Sequence, residues 1–84
     1  MARYEVFVHA ALLETIPKTG SQRRRILDFI YGLRERPDTL GDFTDQDRSL
    51  RTRQIKIVDD YAITYWVDSP VKAVMVIDVQ PADA

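Results

Sequence analysis

Apolar and polar positions alternate most clearly between Arg53 and Asp78, where three short segments follow one another. Arg-Gln-Ile-Lys-Ile-Val (53–58), Tyr-Ala-Ile-Thr-Tyr-Trp-Val-Asp (61–68) and Lys-Ala-Val-Met-Val-Ile-Asp (72–78) are rich in β-branched and aromatic residues, and Asp59-Asp60 and Ser69-Pro70 separate them. Such runs, broken at turn-forming residues, predict three strands joined tightly enough for an antiparallel meander. Side chains alternate across a strand, so parity separates the two faces. In the middle segment Tyr61, Ile63, Tyr65 and Val67 share one face, and Ala62, Thr64, Trp66 and Asp68 the other. Assigning faces by residue type puts Ile55 and Ile57 with the Ile/Tyr/Val core face. It leaves Gln54, Lys56, Thr64 and Trp66 on an open face. The last segment is apolar on both parities, as expected of a strand inside the sheet.

The first half of the chain changes period. Arg3 to Val8 alternates and predicts a first strand, with Tyr4, Val6 and Val8 on one side. His9 to Ile16 is made of helix formers and predicts two turns of helix ended by Pro17. After a Lys18-Thr19-Gly20 loop, Ser21 is an expected N-cap for a helix over 22–36. There Ile26, Phe29, Ile30 and Leu33 recur at i, i+3, i+4 and i+7, as in one buried stripe. Pro37 closes it. Residues 38–50 read as a polar connection broken by Gly41, and residues 80–84 as a polar tail. The order β-α-α-β-β-β predicts a single α+β domain over 1–84: a two-layer sandwich with two helices on one face of a four-stranded, mostly antiparallel sheet. The first strand is expected beside the last, in a direction the sequence leaves open.

Composition narrows the function. Eighty-four residues make one small domain, and a chain without cysteine has neither disulfides nor thiolate metal sites. The start of the chain lacks an apolar run of signal-peptide length, and no stretch is long enough to span a bilayer, so a cytoplasmic protein is expected. A net charge of −1 is not that of a strongly basic nucleic-acid binder. The distribution is uneven, however. Asp38, Asp42, Asp45 and Asp47 are followed by Arg48, Arg51, Arg53 and Lys56, and Arg23, Arg24 and Arg25 are consecutive. A basic patch is one reading; mutual pairing of these charges is the other.

The chain resembles the RelE/ParE superfamily of toxins from bacterial type II toxin-antitoxin systems. The resemblance lies in Tyr4-Glu-Val-Phe-Val-His9, the Arg-rich helix ending at Arg36-Pro37, Ile55-Lys-Ile-Val-Asp-Asp-Tyr-Ala-Ile-Thr-Tyr-Trp-Val-Asp68 and Val76-Ile-Asp-Val79. It implies one of two activities. RelE-like members cut messenger RNA in the ribosome, the 2′-hydroxyl attacking the adjacent phosphate beside basic side chains on the open sheet face. ParE-like members block DNA gyrase without chemistry of their own. Either kind is silenced by a cognate antitoxin.

On that resemblance the expected function is a toxin that inhibits translation by ribosome-dependent mRNA cleavage. The alternatives are a gyrase inhibitor and a toxin-like domain that only binds its antitoxin. Lys56, Arg53 and Arg51 are the candidate catalytic set, since cations there would stabilise phosphate charge. Trp66 offers a surface for base stacking, and Arg23 and Arg24 a track for a phosphate backbone. Gln80 opens the segment where family nucleases carry basic or aromatic residues. Two departures weaken the nuclease pattern: Ala62 stands where family nucleases place arginine, and Gln80-Pro-Ala-Asp-Ala84 supplies no acid-base residue. His9, at a strand-to-helix junction, is expected to cap or pack, and Tyr61 and Tyr65 to lie in the core. No metal or cofactor is expected, and the partners expected are the antitoxin with ribosome and mRNA, or with gyrase.

Overall fold

A computed structural model describes residues 3–83. The elements are β1 (Glu5–Val8), α1 (Ala10–Leu13), α2 (Ser21–Gly32), β2 (Phe43–Gln46), β3 (Thr52–Val58), β4 (Tyr61–Asp68) and β5 (Ala73–Pro81), with one 3-10 turn at Ser69–Val71. The sheet has five strands in the order β1-β5-β4-β3-β2, not the four expected. The added strand, β2, lies in the segment read as a loop. Its Phe-Thr-Asp-Gln sequence has no apolar alternation and all four residues are exposed, so only the backbone ladder to β3 makes it a strand. β1 runs parallel to β5 and the other pairs are antiparallel, so the first strand does lie beside the last.

The helices cover one face. Ile16, Ile26, Ile30 and Leu33 pack on Ile63, Tyr65, Val74, Val76 and Val79, and Phe29 meets the Tyr65 ring edge-on at 5.7 Å. The stripe expected on α2 is the one that packs inward. Its cap differs: Gly20 precedes the helix at φ 97°, a conformation open to glycine, and Ser21 is the first helical residue. α1 is one short turn, capped as expected by His9, whose Nδ1 accepts from Ala11 N at 3.1 Å.

Two backbone features set which side chains reach which face. Asp59 and Asp60 both have positive φ, 49° and 69°, and join β3 to β4 in a two-residue turn of the type I′ kind. That turn pairs Val58 with Tyr61, Lys56 with Ile63 and Gln54 with Tyr65. Directly opposed residues share a face. Gln54, Lys56 and Val58 therefore lie on the helix-bearing side, and Ile55 and Ile57 on the open side, the reverse of the assignment by residue type. The second feature is a bulge. The β4–β5 register shifts between Thr64 and Tyr65, so that Tyr65 faces Val76 and Thr64 faces Asp78. An extra β5 residue at this point moves its apolar parity by one. Val74 and Val76 before it, and Val79 after it, all reach the core, which is why the segment reads as apolar on both parities.

Candidate functional site

The face free of helices is built in cross-strand rows. In one row Phe7 stands against Met75, Met75 against Trp66, and Arg53 against Asp45. Arg53 is one residue beyond the Gln54–Tyr65 pair, which brings it alongside Trp66 and completes the row across the sheet. A second row holds Asp78, Thr64, Ile55 and Phe43, and a third holds Gln80, Ala62 and Ile57. Phe7 and Phe43, at opposite edges, are 50% and 60% exposed. Thr64, though on this face, is buried beneath its neighbours.

Three of the sequence candidates meet here. Arg51 lies over the Trp66 ring, its guanidinium carbon 3.9 Å from the ring centre, a cation-π contact. Arg53 is bound by Asp45 through two parallel bonds, Nε and one terminal nitrogen each donating to a carboxylate oxygen at 2.7 Å. These bonds, with the Asp45 charge, outweigh the opposing desolvation and leave Arg53 more firmly protonated than usual. Arg51 also pairs with Asp47 at 3.3 Å. Asp47 accepts from the backbone N–H groups of Arg51 and Ser49, which with the nearby Arg51 and Arg53 charges lowers its pKa. Trp66 is half-buried rather than fully roofed. Gln80, expected in a tail, sits in β5 opposite Ala62 because β5 continues to Pro81.

Lys56 is not part of this group. It projects to the helix-bearing side, where the segment 39–42 folds against β3 and reaches Tyr65 of β4. Its Nζ approaches Asp42 at 3.5 Å. Asp42 also accepts from Ile57 N at 2.8 Å, and that bond, more than the lysine, holds its carboxyl below the usual carboxylate range. Gly41 N donates to the Gln54 side chain, and the Tyr65 hydroxyl donates to Thr39 O at 2.8 Å. Gly41 is required here: a Cβ at this position would lie 2.6 Å from Ile55 O.

The remaining candidates are elsewhere. Arg23 donates to Pro17 O at 3.2 Å, and Arg25 pairs with Asp59 across the layers. Arg24 is exposed on α2 and makes no ion pair among the described residues. The two rings expected in the core, Tyr61 and Tyr65, do face the helices, and burial, helped by Asp42, pushes the Tyr65 hydroxyl up to about 12. Three acids of the 38–47 segment thus each hold one base of the 51–56 segment, which is the mutual pairing weighed against a basic patch. Phe43 and Phe7, not among the sequence candidates, also belong to the open face. The alternation of Phe7 with Val6 and Val8 already pointed to it, whereas nothing in the sequence of β2 marked Phe43.

No protein-family model matches the sequence, and no curated protein matches it. The fold is nevertheless a known one. It superposes on a chain of the archaeal RelE–RelB complex from Pyrococcus horikoshii OT3 with a TM-score of 0.72 over 94% of either chain, at 21% identity. The protein has a RelE-like fold. In this RelE fold the helices occupy one sheet face, and the Trp66–Arg51–Arg53 group occupies the other. No helix among the described residues is long and apolar enough to cross a membrane.

Proposed function

We propose that this chain is the toxin of a type II toxin–antitoxin pair, that it acts in the cytoplasm on ribosome-bound messenger RNA, and that a cognate antitoxin silences it. The observation that carries this reading is the Arg51–Trp66–Arg53 group on the helix-free face. Two guanidinium forks beside one aromatic ring match an RNA strand, whose phosphates take the forks and whose bases stack. The same likeness of fold that links the chain to RelE brings with it the expectation of a RelB-like partner. In this reading Arg51 and Arg53 bind and polarise a phosphate and Trp66 holds a base, while Gln80 lies on the same face two rows away. Cleavage of the strand would rest on guanidinium stabilisation of the phosphate charge, since His9 caps α1 and Tyr61 and Tyr65 face the helices.

That last arrangement favours a second reading, a toxin that blocks its target without cutting RNA, as ParE-like proteins block gyrase. Ala62 in the third row, where the nucleases place arginine, supports the same reading. Induction of the chain in growing cells, with labelled amino acid and labelled thymidine followed in parallel, separates the two. A prompt fall in protein synthesis with cleaved transcripts supports RNA cleavage. A fall in DNA synthesis with intact transcripts supports the gyrase reading. Undisturbed growth would overturn both. Rescue by co-expression of a small adjacent open reading frame tests the antitoxin.

A further inference from the structure

The three acid–base pairs of the β2–β3 region are not equivalent. Asp42 braces β3 by accepting from Ile57 N, and Asp47 braces the 47–51 turn by accepting from Ser49 N and Arg51 N. Asp45 makes no such backbone bond among the described residues; both of its oxygens are spent on Arg53. It sits on β2, an edge strand of four exposed residues that pairs, among the described residues, with β3 alone. Two parallel N–H···O bonds at 2.7 Å are also what a guanidinium makes with two oxygens of a phosphodiester.

We propose that Asp45 is an internal competitor for the phosphate that Arg53 would bind, and so a specificity-determining residue of the open face. This rests on the reading of that face as an RNA-binding surface. A surface ion pair of this kind is weak in absolute terms, but the carboxylate is tethered opposite its partner and is therefore present at high effective concentration. An isolated anion gains too little to displace it. A phosphodiester chain that stacks a base on Trp66 and meets Arg51 as well brings several contacts at once, and the sum displaces Asp45 from Arg53. The face thereby rejects single anions and admits a strand. It also accounts for a chain of net charge −1 presenting two arginines without a free basic patch.

The experiment is fluorescence anisotropy with a labelled single-stranded RNA of about a dozen nucleotides, titrated with the full chain between about 50 and 200 mM salt. Three variants are compared with wild type: Asp45→Asn, Asp28→Asn and the double change Asp45→Asn with Arg53→Gln. Asp28 is exposed on α2, on the other layer, and its substitution makes the same change in net charge. Asp45→Asn is expected to bind about threefold tighter or more, with a salt slope steeper by about 0.7, the signature of one additional phosphate contact on a single strand. Asp28→Asn is expected to match wild type, and the double variant to lose the gain. Equal affinity of Asp45→Asn and Asp28→Asn, or a double variant that keeps the gain, would overturn the proposal. A second readout uses unaltered protein: the Arg53 Nε–H resonance is expected to shift on adding the RNA and to stay in place in inorganic phosphate. An Arg53 resonance indifferent to RNA overturns it equally. Neither readout involves growth, so a chain that arrests cells yet shows no Asp45 effect would sink this inference and leave the toxin reading standing.

Discussion

Lys56 stands directly across the hairpin from Ile63, and Ile63 is buried against the helices. Lys56 is therefore on the helix-bearing side of the sheet, and its contact there is Asp42 at 3.5 Å. A target held on the opposite face does not meet it. Lys56→Ala is expected to leave target inhibition unchanged and to move the urea midpoint little, since an exposed ion pair contributes little. Inhibition lost in a Lys56→Ala protein with an unchanged urea curve would show that the target reaches around the edge of the sheet.

The Lys56 position also shows how much of the site was legible. The three meander strands, the buried stripe of α2 and the pairing of the first strand with the last follow from periodicity and turn residues, and they stand in the structure. So did the register of β3, in principle. A two-residue turn at Asp59-Asp60 pairs 58 with 61 and hence 56 with 63. Sorting by residue type, with isoleucines inward and lysine outward, went against that geometry. It failed because β3 lies towards the edge of the sheet, where the helices cover less of it and the 39–42 segment supplies polar partners instead. β2 was illegible for a different reason. Its residues bury nothing, and its place is fixed by its partner's free ladder and by the close approach of Gly41 to Ile55. With β2 unseen, the pairing of Asp45 with Arg53 was one possibility among several.

Gly41 tests that close approach. The backbone atoms of Ile55 surround the site where a Cβ would go, at 2.6 to 2.8 Å, and backbone cannot rotate away. Gly41→Ala is expected to cost about 2 kcal/mol or more, as overpacking of a closed site does. Urea denaturation measures it. A neutral result would mean that the 39–42 segment does not lie on β3.

Asp60 offers the opposite change. Its φ of 69° is one that a residue with a side chain adopts at a cost, and glycine does not. Asp60→Gly is expected to stabilise the protein by about 0.5–1 kcal/mol by relieving this strain, despite the greater freedom of the unfolded chain. Asp59 is a poor choice for the same change, because its carboxylate pairs with Arg25. A thermal melt of Asp60→Gly displaced downwards would contradict a left-handed turn here.

Stability should fall at both ends of the pH range, for different reasons. Asp42 and Asp47 are held below the ordinary carboxylate range in the folded chain, by Ile57 N and Arg51 N first of all. Their contribution is present above the unfolded pKa of about 4 and is lost as pH falls through the lower folded values. Asp42→Asn is therefore expected to flatten the acid limb of a denaturation-against-pH curve. At the alkaline end Tyr65 ionises at about 10 when unfolded but is pushed up to about 12 when folded. Stability is then expected to decline between those values, as the unfolded chain gives up its proton first. Tyr65→Phe should abolish that decline, at a cost of about 1 kcal/mol at neutral pH for the lost bond to Thr39 O. An alkaline limb that persists in Tyr65→Phe would assign it to another group.

The central claim is that the helix-free face, through Arg51, Arg53 and Trp66, is what grips the target. Cell-free translation with purified protein tests it most directly, comparing wild type, Lys56→Ala, and a variant with Arg53→Ala and Trp66→Ala combined. The account predicts that wild type and Lys56→Ala arrest translation alike and that the double variant, folded by circular dichroism, does not. Arrest that survives in the double variant and disappears with Lys56→Ala would contradict it.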